Sequence, residues 1–97
     1  MTTEETNRFI DCMTYEDGTV MLKGRLFWCL GVTYDENQKL YRIQIYEDDP
    51  QTKEYIGEIF KYESHSCDDC MKHFLEDKYW DGLSFYEVAH EIEWIDL

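Results

Sequence analysis

The stretch Gly24-Arg25-Leu26-Phe27-Trp28-Cys29-Leu30-Gly31-Val32-Thr33-Tyr34 constrains the fold of this chain more than any other. It is the longest run of strand-forming residues, and apolar side chains fall on both of its alternating faces. In an unbroken strand Leu26, Trp28, Leu30, Val32 and Tyr34 point one way, and Phe27 and Cys29 point the other with Arg25, Gly31 and Thr33. A strand that is apolar on both faces is expected at the centre of a sheet, with cover on each side.

The flanking segments supply the partners for such a strand. In residues 8–15, Phe9, Cys12 and Met13 fit one helical face, with Thr2 or Thr3 as N-cap. The same residues also fit a strand ending at the Asp17-Gly18 turn, and the helix is the preferred reading. Thr19 to Lys23 reads as a short strand, and Gly24 as a bend. Asp35-Glu36-Asn37-Gln38 is a turn. Leu40 to Glu47 alternates, with Tyr41, Ile43 and Ile45 on one face and Leu40, Arg42, Gln44 and Tyr46 on a wetter one. After the acidic turn Glu47-Asp48-Asp49-Pro50-Gln51-Thr52, Tyr55 to Tyr62 is a further strand. Ile56, Phe60 and Tyr62 oppose Tyr55 and Ile59 along it.

Beyond Glu63 the period changes from two to 3.6. A helix capped by Ser64 or Ser66 is expected to run to about Asp77, with Cys67, Cys70, Met71 and Phe74 on one face. Ser84-Phe85-Tyr86-Glu87 is a capping box. It opens a second helix with the stripe Phe85, Val88, Ala89, Ile92 and Ile95. The expected fold is a single α+β domain over residues 1–97. It is an antiparallel β-meander of three to four strands with two C-terminal helices packed on one face.

Charge narrows the function. Twenty-two acids stand against nine bases, a net of -13. Residues 63–97 hold ten acids and two bases, a net of -8, and residues 1–62 hold twelve and seven, a net of -5. Such a balance disfavours direct contact with nucleic acid or an anionic membrane and favours a basic partner. An aromatic content of 16% sets the chain apart from a disordered acidic tail. No apolar run reaches the length of a membrane span, and the acidic N-terminal residues lack the pattern of a signal peptide, so a cytoplasmic setting is expected. Several acids carry costs that a helix does not need. Glu87 and Glu91 repel at i,i+4, and Glu91, Glu93 and Asp96 crowd a helix end that prefers cations.

Tyr and Trp residues stand among these acids, and both are preferred interface anchors. The expected partner-binding residues are Glu47, Asp48, Asp49, Asp77, Trp80, Asp81, Tyr86, Glu87, Glu91, Glu93 and Trp94. The reading is a small module that inhibits or sequesters a basic protein, a toxin or a nucleic-acid enzyme. Bacterial immunity proteins and phage-encoded inhibitors do this, and the likeness is one of size and charge. A homodimer formed through the edge of Tyr55 to Tyr62 is a rival.

The sharpest local cluster is His65-Ser66-Cys67-Asp68-Asp69-Cys70-Met71-Lys72-His73. Thiolates and imidazoles suit zinc, so His65, Cys67, Cys70 and His73 are the candidate ligands of an alternative metal-binding reading. Two features count against it. All four lie within nine residues, and both cysteines share the stripe of Met71 and Phe74, where a free cysteine acts as a small hydrophobe. No cofactor is expected. No catalytic motif stands in the chain, so an enzyme is not expected. One structural question stays open: what covers the Phe27 and Cys29 face, the N-terminal segment with Phe9, Cys12 and Met13 or a second copy.

Overall fold

The computed structural model describes residues 1–96. Thr2 opens α1 (Thr3–Met13) with a reciprocal cap: its hydroxyl accepts from the Glu5 N–H at 3.1 Å, and the Glu5 carboxylate accepts from the Thr2 N–H at 3.2 Å. This settles residues 3–13 as helix, and its apolar face buries Phe9 and Met13. Among the described residues six strands follow or flank the remaining helices: β1 (Gly18–Leu22), β2 (Arg25–Leu30), β3 (Val32–Asp35), β4 (Leu40–Asp48), β5 (Tyr55–Ser64) and β6 (Glu93–Asp96). Between β5 and β6 lie α2 (Cys67–Glu76), α3 (Phe85–Val88) and a 3-10 turn, Ala89–Glu91. The fold is α+β, with more strands than expected. No described helix is long and apolar enough to cross a membrane.

All strand pairs are antiparallel. β5 takes one edge of β4 along its length, and β2 and β3 share the other in succession. β1 lies beside β2, and β6 closes the far side of β1. The expected unbroken strand from Gly24 to Tyr34 is therefore two segments in one lane. Trp28 faces Tyr46 across β4, while Val32 faces Ile43, so one extra residue is accommodated between them. Cys29 (φ 67°) and Gly31 (φ 154°) carry that bulge. The cause is tertiary. A Cβ on Gly31 would stand 2.3 Å from the Glu16 carbonyl oxygen, so the loop after α1 crosses where only glycine fits.

The bulge changes which side chains share a face. Phe27, Leu30 and Val32 all turn into the core, while Leu26 and Trp28 turn out. The expected split of Leu26, Trp28, Leu30 and Val32 against Phe27 is corrected accordingly, and the strand is buried on one face only.

The second C-terminal helix is also shorter than its stripe suggests. Phe85, Val88, Ala89 and Ile92 are buried, but the helix ends at Val88 and Ile92 is already extended. Glu93–Asp96 then pairs with the open edge of β1, Val20 opposite Trp94 and Met21 opposite Glu93. Ladder hydrogen bonds to that edge replace the helical turns that Ile95 was expected to extend, and Ile95 is 48% exposed. The crowding of Glu91, Glu93 and Asp96 at a helix end does not arise, because residues 93–96 are strand.

One hydrophobic core joins Phe9 and Met13 of α1, Cys70, Met71, Phe74 and Leu75 of α2, Phe85 and Val88 of α3, and the inward residues of β1 to β4. Phe9 stacks on Phe85 at 5.5 Å and meets Trp94 edge-on at 5.0 Å. Met21, Leu26, Trp28, Tyr46 and Tyr55 lie outside that core.

Candidate protein-binding surface

The acids near the sheet divide by parity. Glu47 stands opposite Phe27 and points inward, where it is 7% exposed. A carboxylate there needs a fixed cation. Arg25 supplies it, donating from Nε and Nη2 to the two Glu47 oxygens at 2.9 Å each. The third guanidinium nitrogen, Nη1, donates to Asp81 at 3.1 and 3.2 Å. The hydrogen bond to Glu47 leads the causes that raise the Arg25 pKa. Trp80, 2% exposed, meets Phe27 edge-on at 5.0 Å. Glu47 and Trp80 are thus core residues and not surface contacts, a correction that follows from inward parity and from packing.

The other expected contacts are distributed. Asp49 turns its carboxylate back onto the N–H groups of Gln51 and Thr52 at 2.8 and 3.0 Å, which lowers its pKa. Glu87 completes the cap at Ser84, and its pKa is lowered by those hydrogen bonds. Asp77 lies 2.9 Å from the His73 ring. Glu91 is 3.9 Å from Lys23. Trp94 packs on Phe9 beneath the Arg8 guanidinium, 5.3 Å from its ring centre. Tyr86 is 58% exposed. Asp48 and Glu93 lie on the outer side of the sheet.

His65, Cys67, Cys70 and His73 do not converge. The His65 ring is 3.0 Å from the Lys39 carbonyl, and Cys70 is fully buried with its thiol 3.5 Å from the Tyr41 carbonyl. His73 stacks on Tyr62 at 4.0 Å. Among the described residues, no three His, Cys, Asp or Glu side chains come close enough to share an ion. Ser66 caps α2, so Cys67 and Cys70 turn to the core while His65 stays outside the helix. Burial pushes the Cys70 thiol up to about 11 and raises Cys67 as well.

What the fold does assemble is the outer face of the sheet. Cross-strand register places Glu93, Met21, Leu26, Asp48 and Tyr55 in one row running from β6 to β5. The adjoining row places Trp28, Tyr46 and Glu58 side by side. Ring centres are 4.7 Å apart for Trp28 and Tyr46 and 6.0 Å apart for Tyr46 and Tyr55, so the three rings form a continuous strip. Tyr55 is 61% exposed and Trp28 36%. Carboxylates border the strip. Glu58 is held by the Gln44 amide at 2.6 Å, and Asp48 has one oxygen, Oδ1, sealed from solvent without a hydrogen-bond partner.

Sequence reasoning picked out Asp48 and placed Tyr46 on the wetter face of its strand, but assigned Trp28 to a doubly buried strand and did not name Tyr55 or Glu58 as contacts. The signal for Trp28 was the glycine at 31, which breaks the alternation its assignment relied on.

The chain matches no protein-family model, and comparison with curated proteins and with solved structures finds none similar to it.

Proposed function

We propose that this chain is a small acidic protein-binding module that docks a basic protein on the outer face of its sheet and occludes it. In this reading the helices form a backing layer on one face and leave the other for the partner. The observation that carries it is the Trp28–Tyr46–Tyr55 strip, which lies outside the core and is bordered by Asp48 and Glu58, on a chain of net charge -13. Aromatic rings exposed together supply contact area at low entropic cost, and surrounding carboxylates steer a cationic partner and set its orientation. The acids of the helical third add to the long-range field without entering the contact. A partner whose own surface evolved to hold phosphates, a toxin or a nucleic-acid enzyme, fits that field, in a cytoplasmic setting where four free cysteines remain reduced.

The same uncovered face favours a second copy on shape alone. Charge argues against it, because two such faces would bring two chains of net -13 together.

The test is association kinetics with basic proteins encoded beside this chain, using the wild type and Trp28→Ala. The association rate is expected to fall at least tenfold between about 20 and 200 mM salt, with faster dissociation in the variant. Binding that ignores salt, or that Trp28→Ala leaves untouched, would sink the proposal.

A further inference from the structure

The outer strip has the chemistry of a guanidinium site. This inference rests on the reading above and specifies what the partner must present. The chain itself shows how its aromatic rings are used: Arg8 lies over Trp94 at 5.3 Å and Arg25 over Phe27 at 5.1 Å. These are the guanidinium–ring contacts among the described residues, and neither involves Trp28, Tyr46 or Tyr55. The three outer rings are contiguous, partly or largely exposed, and free of such a cover.

Carboxylates stand beside the rings at two points. Glu58 is the cross-strand neighbour of Tyr46, and Asp48 is the cross-strand neighbour of Tyr55 and of Leu26. The Gln44 amide holds one oxygen of Glu58, which fixes the carboxylate beside the ring. Two cations of this face are paired with neighbouring acids and not with the rings. Arg42 pairs with Glu63 at 2.9 Å and Asp35 at 3.4 Å, and Lys61 lies 3.6 Å from Glu63.

A flat cation that lies on a ring and reaches a carboxylate with its edge satisfies both features at once. A guanidinium does this, because it is planar, weakly hydrated and presents N–H groups in its own plane. A lysine ammonium is compact and strongly hydrated, and it gives up hydration to meet the ring without gaining a second directed contact. We infer that the outer face recognises arginine side chains of the basic partner, laid over Trp28 and Tyr46 with Glu58 as the paired acid, in preference to lysine.

The experiment titrates the full chain with capped nona-arginine and nona-lysine peptides at about 150 mM salt. Amide and indole NMR shifts report the location. The expected result is at least about fivefold tighter binding of the arginine peptide. Its shifts should centre on the Trp28 indole, Tyr46, Tyr55 and Glu58. Trp28→Leu, which keeps apolar area and removes the ring, should erase the arginine preference. Glu58→Gln, at an exposed position, should reduce it with the fold intact. Equal affinity for the two peptides on this face would overturn the arginine assignment and leave the basic-partner proposal standing. Shifts confined to the acids of α2 and α3, or no binding of either peptide, would overturn it too. The salt-dependence measurement with protein partners then decides separately whether the broader proposal survives.

Discussion

Replacing Gly31 with alanine tests the bulge that creates the outer face. Gly31 has φ 154°, and a Cβ there would meet the Glu16 carbonyl oxygen at 2.3 Å and the Asp17 Cα at 3.0 Å. Two costs combine. A residue with a Cβ held in a sparsely populated backbone region costs about 1–3 kcal/mol. Forcing two backbone segments apart in a packed interior costs about 1–3 kcal/mol more. Neither can be relieved by a rotamer change, because the atoms opposed are main chain. Gly31→Ala is therefore expected to lose about 2–6 kcal/mol of a total near 5–15 kcal/mol, and to lower the melting temperature by about 10 °C or more. Gly24→Ala is the control. It also has positive φ, 75°, but no atom lies within 4 Å of its Cβ position, so it carries the backbone term alone, about 1–2 kcal/mol. Urea unfolding followed by circular dichroism gives both values. If Gly31→Ala is no worse than Gly24→Ala, the Glu16–Gly31 crossing does not determine the bulge, and the outward turn of Trp28 needs another cause.

Other expectations follow from the same geometry. Glu47→Gln should cost about 1–3 kcal/mol in urea unfolding because it breaks a bidentate bond to Arg25. The double variant Arg25→Met, Glu47→Leu should be closer to wild type than the summed single losses, and simple additivity would refute the coupling. The Asp69 carboxyl is held low first by the Tyr62 hydroxyl, and Glu63 first by Arg42. Their stabilisation is complete above the ordinary carboxylate range and lost as pH falls through the depressed values. The Tyr62 hydroxyl is pushed up to about 12 from an ordinary 10 by its bond to Asp69, so its contribution is full below 10 and lost as pH rises towards 12. Tyr62→Phe should flatten the alkaline limb of a pH–stability curve, and an unchanged limb would contradict the assignment. Cys70, fully buried, should resist iodoacetamide at about pH 8 while half-buried Cys12, Cys29 and Cys67 react, as mapped by mass spectrometry; early labelling of Cys70 would refute its packing. Sedimentation at low ionic strength should give a monomer, and a dimer there would refute the charge argument against a second copy.

Much of this protein is legible locally. Ser84 with Glu87 is a capping box whose partners lie three residues apart, so the start of α3 follows from sequence alone, while the same spacing of Thr2 and Glu5 marks the start of α1 once the helix is chosen over the strand. The stripe of Cys70, Met71 and Phe74 names the buried face of α2, and the alternation of Ile43 and Ile45 names that of β4. The acid excess is legible in the same way, because charge is additive and needs no fold.

Three features needed the tertiary structure. Glu47 reads as one acid of an exposed turn until β2 brings Arg25 beside it. The stripe after Ser84 fits a helix through Ile95 until the open edge of β1 supplies ladder bonds to Glu93–Asp96. The stretch from Gly24 to Tyr34 fits a doubly buried strand until the loop at Glu16 meets Gly31 and shifts the register by one. A side-chain face in a strand has a period of two, so a single inserted residue exchanges inside for outside. The sequence by itself determined the segments and their charge. A contact between Glu16 and Gly31, fifteen residues apart along the chain, decided that Trp28 faces out beside Tyr46, and with it the only ring strip among the described residues that lies outside the core.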